Sequence, residues 1–355
     1  GGQGNARLVD CQEPRKLAVL ISGQLQRFMW QDQKLPLIHA SDHACPPQVD
    51  VYIALQLGEK VRIYFADGET PVLPYVEHPS KDNITEWYKS KGARKVKIIF
   101  LNETTLNGRV LPNVLDMYAN EPLTPTGKAK IGMINGLTYR PKPQGPQGLT
   151  ELGDIVSNRD RWQANVKMLY LRHRAYRKSV ESGEDYDGYA YWREDNFFFS
   201  PLAEDEFPRS DGKTNCGYNH LPHCAGQVKV SDTCNFTESN LGMVSDKIFI
   251  ADQPGAAMLF EKTEEEFMGK MVEWVNLAAR DENLFTGPWR YPFQTEHLYS
   301  HMLWFAKVIP THMHRSDLRY IEGRRCIPRV SWNCFDHKDA IGHNITMCED
   351  KQRRL

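Results

Sequence analysis

Tyr186-Asp187-Gly188-Tyr189-Ala190-Tyr191-Trp192-Arg193-Glu194-Asp195-Asn196-Phe197-Phe198-Phe199 decides how this chain is read. Two aromatic-rich runs, which favour strands, flank one charged step. The step Arg193-Glu194-Asp195 therefore falls where one strand ends and the next begins. Asp195 is a hard oxygen donor of the kind that suits Mg2+ or Mn2+. Glu194 is either a second ligand or points away, because neighbours in a strand face opposite sides. Arg193 offers a planar fork that holds a carboxylate or a phosphate. A salt bridge at a strand end is the plainer reading. The aromatic residues Tyr189, Tyr191, Trp192 and Phe197 to Phe199 are expected mostly in the core.

Outward from this stretch, short apolar segments alternate with helix-length ones. Strands are expected at Lys16–Ser22, Asp50–Leu55, Val61–Phe65, Lys95–Leu101, Lys247–Ile250 and Lys307–Ile309. Helices are expected from Asp160 to about Glu181, stopping at Gly183, and from Thr295 to about Ala306. A third runs from a Thr263-Glu-Glu-Glu266 capping box to about Arg280. This alternation predicts an α/β fold with a mainly parallel sheet flanked by helices. Residues 1–14 read as a polar lead-in or stem remnant, 15–320 as the main domain, and 321–355 as a Cys-containing tail. Within the main domain, 120–150 is a Pro/Gly-rich loop and 204–240 an irregular Cys-rich insert.

The 355 residues are 41% hydrophobic and 11% aromatic, with a net charge of −1. That composition is globular, and nothing in it argues for a nucleic-acid partner. Four Asn-x-Thr tripeptides, at Asn83, Asn102, Asn235 and Asn344, coincide with eight cysteines. Together they favour a disulfide-bearing protein of the secretory lumen, in the endoplasmic reticulum or Golgi. The chain opens on Gly1-Gly2, and an N-terminal membrane anchor outside it is expected.

The spacing Tyr186-Asp187, then Arg193-x-Asp195-x-x-Phe198, resembles the step that replaces Asp-x-Asp in one group of GT-A-fold, nucleotide-sugar-dependent glycosyltransferases. Three further places follow that group in order: a first strand ending in Ser22-Gly23-Gln24 with Arg27, the Ser245-Asp246 strand, and the Thr295-Glu296-His297 helix. The resemblance implies a GT-A (Rossmann-like) sheet with disulfide-bearing inserts. It implies a transferase that moves a sugar, from a UDP-sugar by preference, to a glycan or glycoprotein hydroxyl. Ser22, Gly23, Gln24, Arg27, Arg193 and Glu194 would bind the donor. Asp195 and His312 would hold Mn2+ or Mg2+, and Asp246 or Glu296 would act as the base if the reaction inverts. Two positions depart from the group's pattern. Glu194 stands where Pro is common and Asn196 where Leu is common, which leaves the metal ligand open among Glu194, Asp195 and Asn196.

Each of these residues also has a plainer role. Ser22-Gly23 suits an ordinary strand-to-helix turn, Asp246 a cap, and Glu296 a helix start favoured by the dipole. His297 and His301 share a helix face but lack the Glu of a zinc-protease motif. Cys216, His220, His223, Cys224 and Cys234 match no closed zinc spacing. The rival function is a luminal carbohydrate-binding protein that kept the fold without the catalysis.

Overall fold

The computed structural model describes residues 14–25, 28, 38–39, 45–57, 79–102, 155–194, 196–198, 202–208, 226–230, 233–234, 243–244, 247–263, 266, 299–300, 302–303, 306, 308, 310–313, 320–322 and 327–329. In chain order these form β1 (Lys16–Gln24), β2 (Ile38–His39), β3 (Gln48–Gln56), α1 (Lys81–Ser90), β4 (Ala93–Leu101), α2 (Ile155–Val180), β5 (Gly188–Arg193), β6 (Asn196–Phe198), β7 (Leu202–Ala203) and a 3-10 turn at Glu204–Glu206. Then come β8 (Val228–Val230), β9 (Thr233–Cys234), β10 (Met243–Val244), β11 (Ile248–Ala251), α3 (Gln253–Ala256, continuing as a π turn to Glu261), β12 (Thr311–His312), β13 (Tyr320–Glu322) and β14 (Ile327–Arg329).

Seven strands make the central sheet, in the order β12-β8-β11-β5-β1-β3-β4. Only β11 runs against the others. The mainly parallel α/β architecture expected from the sequence is thus the one observed. Both faces of the sheet are covered, so β1 and β3 are apolar along nearly their whole length rather than alternating. On one face Leu17, Val19 and Ile21 pack with Val51, Ile53, Trp192 and the α1 residues Ile84 and Tyr88. On the other, Ala18 and Leu20 pack with Tyr52, Tyr189, Tyr191 and Phe249, beneath Leu169, Tyr176 and Phe260. Helix α2 lies across β1 and β3 on this second face. It stops where expected: Gly183 has φ of 69°, a left-handed turn that favours glycine.

The first half of the quoted stretch sews the sheet at the end where β1, β3 and β5 begin. Asp50 is fully buried. Its carboxylate accepts from Arg94 Nε at 2.9 Å, Arg94 Nη2 at 2.6 Å and the Tyr186 hydroxyl at 2.7 Å. A buried charge needs such partners, and this one has a two-toothed guanidinium fork. Asp187 accepts from the Lys16 amide at 2.7 Å. Glu184 bridges Lys95, Lys16 and Arg94. Tyr186 and Asp187 therefore hold the fold, while Arg193 and Glu194 lie at the opposite end of β5.

Several expectations are revised. Of the expected strand at 307–309 only Val308 is among the described residues; it is buried and lies outside a strand, its amide donating to the Leu303 carbonyl at 2.9 Å. The 204–240 insert contributes β8, a strand of the central sheet. The tail boundary at 321 cuts through β13, which pairs with β14 and β6. The Thr263 capping box forms: Glu266 N–H donates to Thr263 Oγ1 at 3.3 Å and Thr263 N–H to Glu266 Oε2 at 2.7 Å. The helix expected from Thr295 is helical at 299–300 and 302–303. The strand at 61–65 and the loop at 120–150 lie outside the described residues. Cys45 is disulfide-bonded. Among the described residues no helix is long and apolar enough to cross a membrane.

Glu184 gives a pH test of the sewn edge. Hydrogen bonds from Lys95 first and Lys16 second hold its carboxyl down to about 2. Because the folded value lies below the unfolded one of about 4.3, its stabilisation is complete above that unfolded value. It is lost as pH falls toward 2. Thermal melts of the wild type should therefore drop more steeply below pH 4.3 than those of Glu184→Gln. Parallel acid limbs would contradict the role assigned to Glu184.

Candidate functional site at the β1–β5 switch point

The chain proceeds from β1 outward through β3 to β4, then returns to place β5 on the other side of β1. This reversal makes the gap between β1 and β5 the topological switch point of the sheet. In open α/β sheets, ligands bind outside the carboxyl ends of the strands at such a point. Ser22 pairs in register with Arg193 there, and the Glu194 amide donates to the Ser22 carbonyl at 3.1 Å. Among the sequence-predicted residues, Ser22, Gly23, Gln24, Arg193 and Glu194 are brought together at this edge.

Gly23 is required at its position for two reasons. Its φ is +152°, a backbone conformation that side chains disfavour. A Cβ built there would also lie 1.9 Å from both Cδ and Oε2 of Glu194. The Glu194 carboxylate thus rests directly over the Gly23 backbone, and Glu194 is only 3% exposed. Strand β5 ends at Arg193, Glu194 forms a turn, and Asn196 begins β6 in the separate sheet with β13. The acidic step does lie between two strands, as expected.

Beneath the site runs a buried polar relay. Ser22 is fully buried, and its Oγ lies 3.2 Å from the Tyr191 hydroxyl. Arg172 Nε donates to that hydroxyl at 2.7 Å. The Arg172 guanidinium stands 4.5 Å over the Tyr191 ring and 4.7 Å over the Tyr299 ring. Two aromatic faces and a hydroxyl compensate a cation that is 1% exposed. Burial pushes the Tyr191 phenol up, with Arg172 opposing, so it stays neutral and serves as a fixed hydrogen-bonding bridge. Arg172 carries no sequence signal that separates it from the other basic residues of α2. Tyr191 is indistinguishable in sequence from its core neighbours.

Arg27, Asp195, Asp246 and Glu296 lie outside the described residues. Lys247, which follows Asp246, accepts from the Arg193 amide at 3.3 Å through its carbonyl. Tyr299, three residues beyond Glu296, covers Arg172. His312 lies within β12 rather than after the last strand. It is level with Tyr191 through Val230 and Phe249. Three inter-strand spacings, about 14 Å, separate β12 from β5. Asp252 is a helix cap: its Oδ1 accepts from Gly255 N at 2.8 Å and Gln227 N at 2.9 Å, and burial raises its pKa. Among the described residues, no three His, Cys, Asp or Glu side chains cluster as a metal site.

No protein-family model matches the chain, and no curated protein matches it. Among solved structures, mouse xyloside xylosyltransferase 1 aligns over 82% of this chain and 81% of its own, at 9% identity and a TM-score of 0.32. An overlay that loose carries no functional argument.

The Gly23–Glu194 contact predicts a specific coupling. Gly23→Ala should cost about 2–5 kcal/mol, from backbone strain and overpacking together. Glu194→Ala in the Gly23→Ala background should recover the steric part, giving a coupling of about 1–3 kcal/mol in a denaturation double-mutant cycle. Additive effects would mean the carboxylate does not lie over Gly23. Tyr191→Phe should cost about 1–3 kcal/mol, because it leaves Arg172 and Ser22 without their bridge.

Proposed function

We propose that this chain is a metal-dependent glycosyltransferase. It would bind a nucleotide-sugar, with UDP as the favoured nucleotide, at the β1–β5 switch point and transfer the sugar to a glycan or glycoprotein hydroxyl. The observation carrying the proposal is the meeting of the Ser22-Gly23 strand end with Arg193-Glu194 at the carboxyl edge of a parallel sheet. The missing Cβ at Gly23 lets Glu194 lie on the β1 end while Arg193 stays in register with Ser22 there. Arg193 would meet a phosphate.

Asp195 offers the hard oxygen chemistry that Mn2+ or Mg2+ takes. Glu194 is buried over Gly23, which favours Asp195 as the residue that would hold the ion. When bound, the ion supplies charge neutralisation for the leaving diphosphate. The relay Arg172–Tyr191–Ser22 keeps the β1 end fixed, so donor contacts are made without reordering the backbone. Asp246, next to the Lys247 that bonds Arg193, would serve as the base toward the acceptor hydroxyl in an inverting reaction. Glu296 is the second candidate for that role. The setting proposed for this chemistry is the lumen of the endoplasmic reticulum or Golgi.

Thermal melts with UDP, GDP or CMP, each with and without Mn2+, test the reading on wild type and Asp195→Ala. A ligand at a hundredfold excess over its Kd stabilises the native state by about 2.7 kcal/mol. We expect a Mn2+-dependent shift with UDP that Asp195→Ala abolishes. No shift with any nucleotide would overturn the transferase reading in favour of a non-catalytic carbohydrate-binding protein.

A further inference from the structure

Two Asn-x-Thr tripeptides lie at the consecutive elements α1 and β4. Asn83-Ile84-Thr85 opens α1, and Asn102-Glu103-Thr104 follows β4. Helix α1 joins β4 through a two-residue turn and must run antiparallel to it. Its first residues therefore lie alongside the second half of β4. Lys81 confirms this, with its ammonium 5.2 Å over the Phe100 ring. The register Gln24–Gln56–Leu101 across β1, β3 and β4 places Asn102 one residue beyond the same line. Both asparagines are exposed.

The hydrogen bonds of Asn83 suit modification. The Ser80 backbone N–H donates to Asn83 Oδ1 at 3.2 Å, and Asn83 N–H donates to Ser80 Oγ at 3.1 Å. The atom facing a backbone N–H must be the carboxamide oxygen, so Nδ2 takes no part in this cap. A substituent on Nδ2 would leave the capping box intact, because Oδ1 remains an acceptor.

We propose that Asn83 and Asn102 both carry N-linked glycans and that the two glycans stand together on the β4 rim of the sheet's carboxyl edge. In each case Nδ2 exchanges one N–H bond for a bond to the anomeric carbon of an oligosaccharide delivered on a lipid diphosphate. The diphosphate leaves with the bonding electron pair, and the proton passes to a base of the transferring enzyme. The rim lies two inter-strand spacings, about 10 Å, from β1. On the reading that the β1–β5 switch point is the donor site, the glycans wall its β4 side and leave the β11 side for an acceptor. Occupancy itself does not depend on the donor site; it rests on the luminal setting proposed above.

The test is peptide mapping of the full chain purified from its own cells, with glycosidase release in 18O-water. We expect both Asn83 and Asn102 as labelled Asp. In the secreted full chain, Asn83→Gln and Asn102→Gln should each remove one glycan step on a gel, with the thermal midpoint retained. An unmodified Asn83 or Asn102 in the chain from its own cells overturns the proposal. Nucleotide binding is read separately by thermal shift, so failure of the donor site and absence of the glycans are told apart.

Discussion

A carboxylate lying on a glycine governs the carboxyl edge of this sheet. Glu194 can fold back over β1 because Gly23 has no Cβ and adopts a φ that other residues avoid. That contact fixes where β5 leaves the central sheet. One residue later the chain joins β6, in a different sheet with β13. Asp195 is the single residue between this buried turn and β6. Any side chain larger than hydrogen at position 23 would push Glu194 away and shift the point from which Asp195 departs.

The two ends of the parallel sheet are built by opposite strategies. At the starting end, Asp50, Tyr186, Asp187 and Glu184 are saturated by Arg94, Lys16 and Lys95. Such a network of fully partnered charges has little left over for a ligand. At the carboxyl end the polar groups are arranged beneath the surface instead. The Arg172 guanidinium, sandwiched between Tyr191 and Tyr299, reaches the strand end through the Tyr191 hydroxyl and Ser22. The Tyr191 hydroxyl thus links this buried cation to the end of β1.

The large elements were legible because burial on both faces of the sheet leaves long apolar runs. Lys16–Ser22, Asp50–Leu55 and Lys95–Leu101 read as strands within one to two residues at most of their ends. The acidic step between two strands was legible for the same reason: charges interrupt aromatic runs. Strand β8 was hidden, being only three residues long within a Cys-rich stretch. Val308 is buried and apolar like a strand residue, yet its amide bonds the Leu303 carbonyl instead of a neighbouring strand. The relay was invisible since Arg172 sits among other basic residues and Tyr191 among other aromatics. Long-range hydrogen bonding, rather than local pattern, gives each its role.

The central claim is that ligand binds at the β1–β5 switch point. Hydrogen-exchange mass spectrometry of the full chain, with and without UDP and Mn2+, tests it most directly. The account predicts slowed exchange in peptides covering Gly23 to Phe28 and Arg193 to Phe197, and unchanged exchange at the Asp50–Glu184 end. Binding accompanied by protection only elsewhere, with these two strand ends unaffected, would contradict it.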